Sequence, residues 1–176
     1  MKKSLIIGAS SLVFAAAPVF GVFAANPAVQ DTLTVTVDEI CTFTRNSGGS
    51  GATISNSMTA GALNANFGTN TFKAVCNAGS GYSVAAVFTA LTGSVSGSIA
   101  YSATTPTAGS GTWTAAKGGS SSTDNLAASN AKLIDKSGPD TSSGTSQQVT
   151  YKVSTQNDIA QGTYTGTAKY TLTQKN

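Results

Sequence analysis

The chain has no histidine, one glutamate (Glu39), one tryptophan (Trp113) and two cysteines, and only 10% of its 176 residues are charged. Without an imidazole there is no ordinary proton shuttle near neutral pH, which excludes the serine and cysteine triads that depend on one. The one adjacent carboxylate pair, Asp38 and Glu39, follows an alternating stretch. Neighbouring side chains in a strand point to opposite faces, so the two are badly placed to act on one bond. Asp124, Asp135 and Asp140 are too scattered for a calcium loop, and no glycine-rich run leads into the lysine and helix of a phosphate cradle. A non-enzymatic protein without cofactor or metal is expected.

Long apolar runs are scarce as well. The one candidate opens the chain as MKKSLIIGASSLVFAAAPVFGVFA, in which two lysines precede an apolar run from Leu5 to Phe23, followed by the small residue Ala24 with Val22 two before it. This is the three-part pattern of a secretory signal peptide, with cleavage expected after Ala24. Gly8, Ser10, Ser11, Pro18 and Gly21 interrupt the run, a poor match to the ~20 mainly apolar residues of a membrane span. The cleaved chain is therefore expected to be secreted and not to insert into a membrane. Residues 25–176 suit a single domain. Loss of Lys2 and Lys3 leaves eight basic residues against seven acidic ones, spread singly. That balance offers no electrostatic footprint for nucleic acid.

In an exported chain, two cysteines most simply pair with each other, so a Cys41–Cys76 disulfide is expected. A metal site is the alternative, but two thiolates without histidine supply half a zinc shell at best.

What the chain does have is alternation. In TLTVTV, Thr32 to Val37, the residues Leu33, Val35 and Val37 alternate with threonines. The same period recurs in QVTYKVST and in TYTGTAKYTLT, where Tyr164, Ala168, Tyr170 and Leu172 share one face with Gly166 in register between them. Thr71 to Cys76, Tyr82 to Phe88 and Ser98 to Ala103 are further strand candidates, with turns rich in glycine, serine and asparagine between them. An all-β antiparallel sandwich of about seven strands follows. Residues 104–146 are expected to be long Ser/Gly/Thr-rich loops around short strands near Trp113 and Leu133. Asp124 to Ile134 has the only helix-like composition, fit for one helical turn or an irregular crossing. Trp113, flanked by threonines, is the candidate for stacking on a sugar ring, although a lone tryptophan more often packs in a core.

Four segments in order carry a resemblance: TVTVDEIC, the FGT at Phe67 to Thr69, TFKAVCNAGSGYSV, and QQVTYKVSTQNDIAQGTYTGTAKYTLT. Together they resemble the spore coat U type of secreted domain and the archaic chaperone-usher pilins. The closing segment also resembles the end of bacterial WxL-type cell-surface domains, but Thr114 and Ala115 follow Trp113, so the WxL signature is missing. The pilin resemblance implies a bacterial surface protein with an incomplete immunoglobulin-like fold. Its missing strand would be supplied by the N-terminal extension of another copy or of a related subunit. The donor would be Val29 to Val37, with Leu33, Val35 and Val37 filling pockets; the same stretch could instead serve as the domain's own first strand. A self-contained adhesin that binds cell-wall or host glycan through loops around Trp113 is the competing expectation.

Overall fold

The computed structural model describes residues 34–46, 53–94 and 97–176. The expected signal segment, residues 1–24, and Leu33 of the expected donor lie outside them. Val37–Asn176 forms one compact unit. All regular structure among the described residues is strand. The strands are β1 (Cys41–Arg45), β2 (Ala65–Cys76), β3 (Tyr82–Phe88), β4 (Leu91–Gly93), β5 (Ser98–Tyr101), β6 (Gly111–Lys117), β7 (Ala131–Lys136), β8 (Thr145–Thr155), β9 (Tyr164–Thr165) and β10 (Ala168–Gln174). They form a seven-stranded sheet in the order β1-β2-β8-β6-β5-β4-β9 and a three-stranded sheet in the order β10-β3-β7. The larger sheet is curled into a half-barrel.

Ten strands stand where about seven were expected, partly because the closing TYTGTAKYTLT is broken in two. Its first half, β9, pairs with β4 in the large sheet, and its second half, β10, pairs with β3 in the small one. Gly166 sits at the crossing, where a Cβ would lie 2.7 Å from the Ala90 carbonyl oxygen. The close approach of two backbones therefore sets this position, rather than strand register. The expectation of purely antiparallel pairing also fails at one place. β5 and β6 run parallel, because the chain leaves β5 at Tyr101 and loops back to the same end before starting β6. Asp124 to Ile134 makes no helix; its last residues belong to β7, where pairing with β3 overrides helical composition. Thr34–Val37, expected as part of a strand, is not one and is exposed. Alternation becomes a strand only when a partner satisfies the backbone, and among the described residues this stretch has none.

The two sheets share one core, filled by Phe72, Trp113, Val149 and Tyr151 from the large sheet and by Tyr82, Val84, Phe88 and Leu133 from the small one. Cys41 and Cys76 face each other in the β1–β2 register and are joined by the expected disulfide, with 4.1 Å between their Cα atoms. The turn after Cys76 closes through Gly81, whose φ of 86° and position, where a Cβ would lie 2.2 Å from the Lys136 carbonyl oxygen, exclude any side chain.

Candidate functional site: the open flank between the sheets

One flank of the domain is lined by two edge strands, β1 from the large sheet and β10 from the small one. In β10, the Lys175 amide donates to the Gly81 carbonyl at 2.9 Å and the Thr89 amide to the Thr167 carbonyl at 3.0 Å. With the β10–β3 register, these bonds assign the odd-numbered residues to the β3 ladder. Antiparallel ladders alternate, so Ala168, Tyr170, Leu172 and Gln174 turn their N–H and C=O groups outward. In β1, the Asn77 amide donates to the Ile40 carbonyl at 3.1 Å and the Asn46 amide to the Thr71 carbonyl at 2.8 Å. The same logic turns the backbone groups of Cys41, Phe43 and Arg45 outward. Neither edge has a further strand beside it among the described residues.

Several of these outward-bonding residues also send their side chains toward the core. Ala168, Tyr170 and Leu172 on β10, and Cys41 and Phe43 on β1, pack on it and remain half-buried. The core therefore stays partly open along this flank. Burying a leucine or phenylalanine completely is worth ~1.5–3 kcal/mol, so each half-buried side chain here leaves about 1 kcal/mol unrealised.

Ring contacts and one side-chain bond orient the two edges. Gln174 Nε2 donates to Cys41 Sγ at 3.1 Å, placing the end of β10 beside the start of β1. The Tyr170 ring lies 4.2 Å from Phe72, which stacks on Phe43 at 5.7 Å and pairs in register with Arg45. β1 and β10 thus run in opposite directions across the flank, and a strand laid between them would be parallel to one and antiparallel to the other. Below it, the Tyr151 and Tyr170 hydroxyls meet at 3.0 Å and link the sheets. Burial pushes the ionisation of both phenols upward.

The disulfide end is fixed by Asp140, whose side chain is only 2% exposed. Its carboxylate accepts from Tyr82 Oη at 2.7 Å, Thr145 Oγ1 at 2.7 Å and the Cys76 amide at 3.1 Å. Burial raises the carboxyl's ionisation, but these donors and the nearby Lys136 ammonium outweigh it and hold Asp140 below the usual carboxylate range.

Of the residues singled out from sequence, Cys41 and Cys76 are brought together. Val35 and Val37 are 85% and 76% exposed, and Leu33 lies outside the described residues. Trp113 is only 3% exposed, and its ring lies 4.7 Å from Tyr101 and 5.6 Å from Phe88. Its Nε1–H donates to the Thr89 carbonyl at 3.1 Å. The indole gains more from core packing than from exposure, and it offers no face to a sugar. Phe43 of this flank was not singled out from sequence, and Tyr170 and Leu172 were read only as one face of a strand. The flank's only sequence signal was alternation, which does not distinguish an edge strand from a central one.

Comparison of the chain with protein-family models, with curated proteins and with solved structures finds no match.

Proposed function

We propose that this protein is an exported, non-enzymatic structural subunit of a bacterial cell surface. In this reading the domain is an immunoglobulin-like sandwich that lacks one strand, and it assembles with other copies of itself or with related subunits by β-strand addition. The observation that carries the reading is the open flank: among the described residues β10 has an unpaired outer edge, and the same residues, Tyr170 and Leu172, leave the core half-covered. An added strand would satisfy the main-chain groups and bury alternate side chains in one step.

The proposed donor is Val29 to Val37. Its nine residues reach ~30 Å when extended, enough to run the length of β10. Leu33, Val35 and Val37 would project from one side of it, and the exposure of Val35 and Val37 supports their availability.

The test is a denaturing gel of the mature protein, unheated and boiled. A ladder that collapses to the monomer on boiling, and that is lost in a Val35→Asp, Val37→Asp double variant, is expected. A single monomer band in both lanes, or a ladder unchanged by the double variant, would reject strand addition through this segment.

A further inference from the structure

Over β6 and β8 the outer face of the large sheet is partly covered. Thr112 and Thr150 point away from the core, yet both are buried. Thr112 Oγ1 donates to the Thr104 carbonyl at 3.0 Å, and Thr150 Oγ1 to the Gly118 carbonyl at 2.8 Å. The parallel β5–β6 pair provides one cover, since the chain must cross back between these strands and Ser102 to Thr104 lie over the sheet as it does so. The β6–β7 connection covers the other side. Between them lies a hollow of about 290 Å³, floored by Thr112, Thr114, Lys152 and Ser154 and walled in part by Ser122 and Asn125. Its volume is at the lower end of small-ligand pockets, which run from ~300 to 1,000 Å³.

The polar groups of the lining are hydroxyls, amides and one ammonium, with no carboxylate, and Ala103 and Trp113 contribute apolar surface. Lys152 is half-buried on the floor, and its Nζ donates to the Ser122 carbonyl at 2.6 Å. Lys132, Lys136 and Lys175 pair with carboxylates, whereas Lys152 has no carboxylate within ion-pair distance among the described residues. Partial withdrawal of a cation from water without a counter-charge carries a cost that a bound anion would offset. Ser154 Oγ accepts the Asn64 amide at 2.9 Å, so the Ser154 hydroxyl proton is available to a ligand.

We infer that this hollow binds a carboxylate-bearing sugar. Lys152 takes the carboxylate, and the Thr114, Ser154 and Asn125 side chains take ring hydroxyls. One cation matches a single negative charge better than a doubly charged phosphate. The hydroxyl and amide groups around the ammonium suit the ring hydroxyls of a sugar, and the apolar part of the lining suits the C–H face of its ring. The site lies on the outer face of β6 and β8, away from the β1/β10 flank, and is independent of strand addition.

The test is amide chemical-shift titration of the full mature chain with D-glucuronate, D-glucose and acetate. Glucuronate should give saturable shifts around Thr114, Ser122 and Lys152, with glucose and acetate about tenfold weaker or more. Lys152→Met, which keeps the alkyl stem, should weaken glucuronate about tenfold or more, as expected for a hydrogen bond to a charged group. Asn125→Ala, in an exposed loop, provides a second variant should Lys152→Met not fold, and it should also weaken binding. The inference is overturned by the absence of saturable shifts with glucuronate or by folded variants that bind as tightly as the parent. Equal binding of acetate would likewise overturn it, reducing the hollow to an adventitious anion site.

Discussion

β7 and β10 flank the same central strand, β3, and differ in what covers them. On the β7 side the connection from β6 returns across the gap. The Leu126 amide donates to the Ala115 carbonyl at 2.8 Å, the Lys117 amide to the Asp124 carbonyl at 2.9 Å and the Phe88 amide to the Ala128 carbonyl at 2.9 Å. Tyr101 Oη adds a bond to the Leu126 carbonyl at 2.7 Å. Leu126, Leu133 and Ile134 are consequently buried. On the β10 side no connection returns among the described residues, and Tyr170 and Leu172 remain half-buried beside an edge that has no described partner. Both are outer strands of the small sheet, but the loop from β6 closes the core beside β7, whereas no described segment does so beside β10.

The contrast can be broken most severely at the closed side. Leu133→Ala, at a position 2% exposed, should cost about 2 to 5 kcal/mol in chemical denaturation. At the disulfide end, Cys41→Ala removes a cross-link over a sequence separation of 35. It should cost about 3 to 4 kcal/mol and lower the melting midpoint under oxidising conditions. Reductant should bring the parent protein to the variant's midpoint.

Asp140→Ala strands three donors and should cost about 2 kcal/mol. The wild-type contribution has a defined pH sign. Because Asp140 is held below its ordinary value, its stabilisation is present above the unfolded carboxyl value near 3.8 and is lost as pH falls through the lower folded value. Removing the carboxyl should therefore flatten the acid limb of a stability–pH curve. The alkaline limb belongs to the phenols. Burial pushes Tyr101 up to about 12 and also raises Tyr82, Tyr151 and Tyr170. Their stabilisation is complete below the unfolded value near 10 and is lost as pH climbs through the raised folded values, so melting midpoints should drop above about pH 10. The smallest effect is expected on the open side, where Leu172→Ala should cost only about 1 kcal/mol in the unassembled chain while weakening assembly.

Much of this fold is legible in the sequence, and what is not has physical reasons. Alternation gave β3 over its full range and most of β8, because both strands have one face in the core and obey period two. It missed the first half of β2, where the register shifts between Asn66 and Gly68 and the pattern breaks with it. β7 was obscured by the helix-like run that leads into it, and only long-range pairing with β3 decides its state. The disulfide was readable because the chain offers two cysteines and no histidine to join them in a metal site. The open flank was not readable, since whether a strand is an edge depends on where distant connections run. Trp113 illustrates the same limit: flanking threonines suggested exposure, but they lie on the opposite face of the strand from the indole.

The most direct measurement is amide hydrogen exchange along β10 in the dilute and assembled protein. In dilute monomer, the amides of Tyr170 and Leu172, which face the free edge, should exchange fast while those of Lys169, Thr171 and Thr173 are protected by β3. Assembly should then slow Tyr170 and Leu172. Protection of those two amides already in the dilute monomer, or no change in them on assembly, would contradict β10 as the strand-accepting edge.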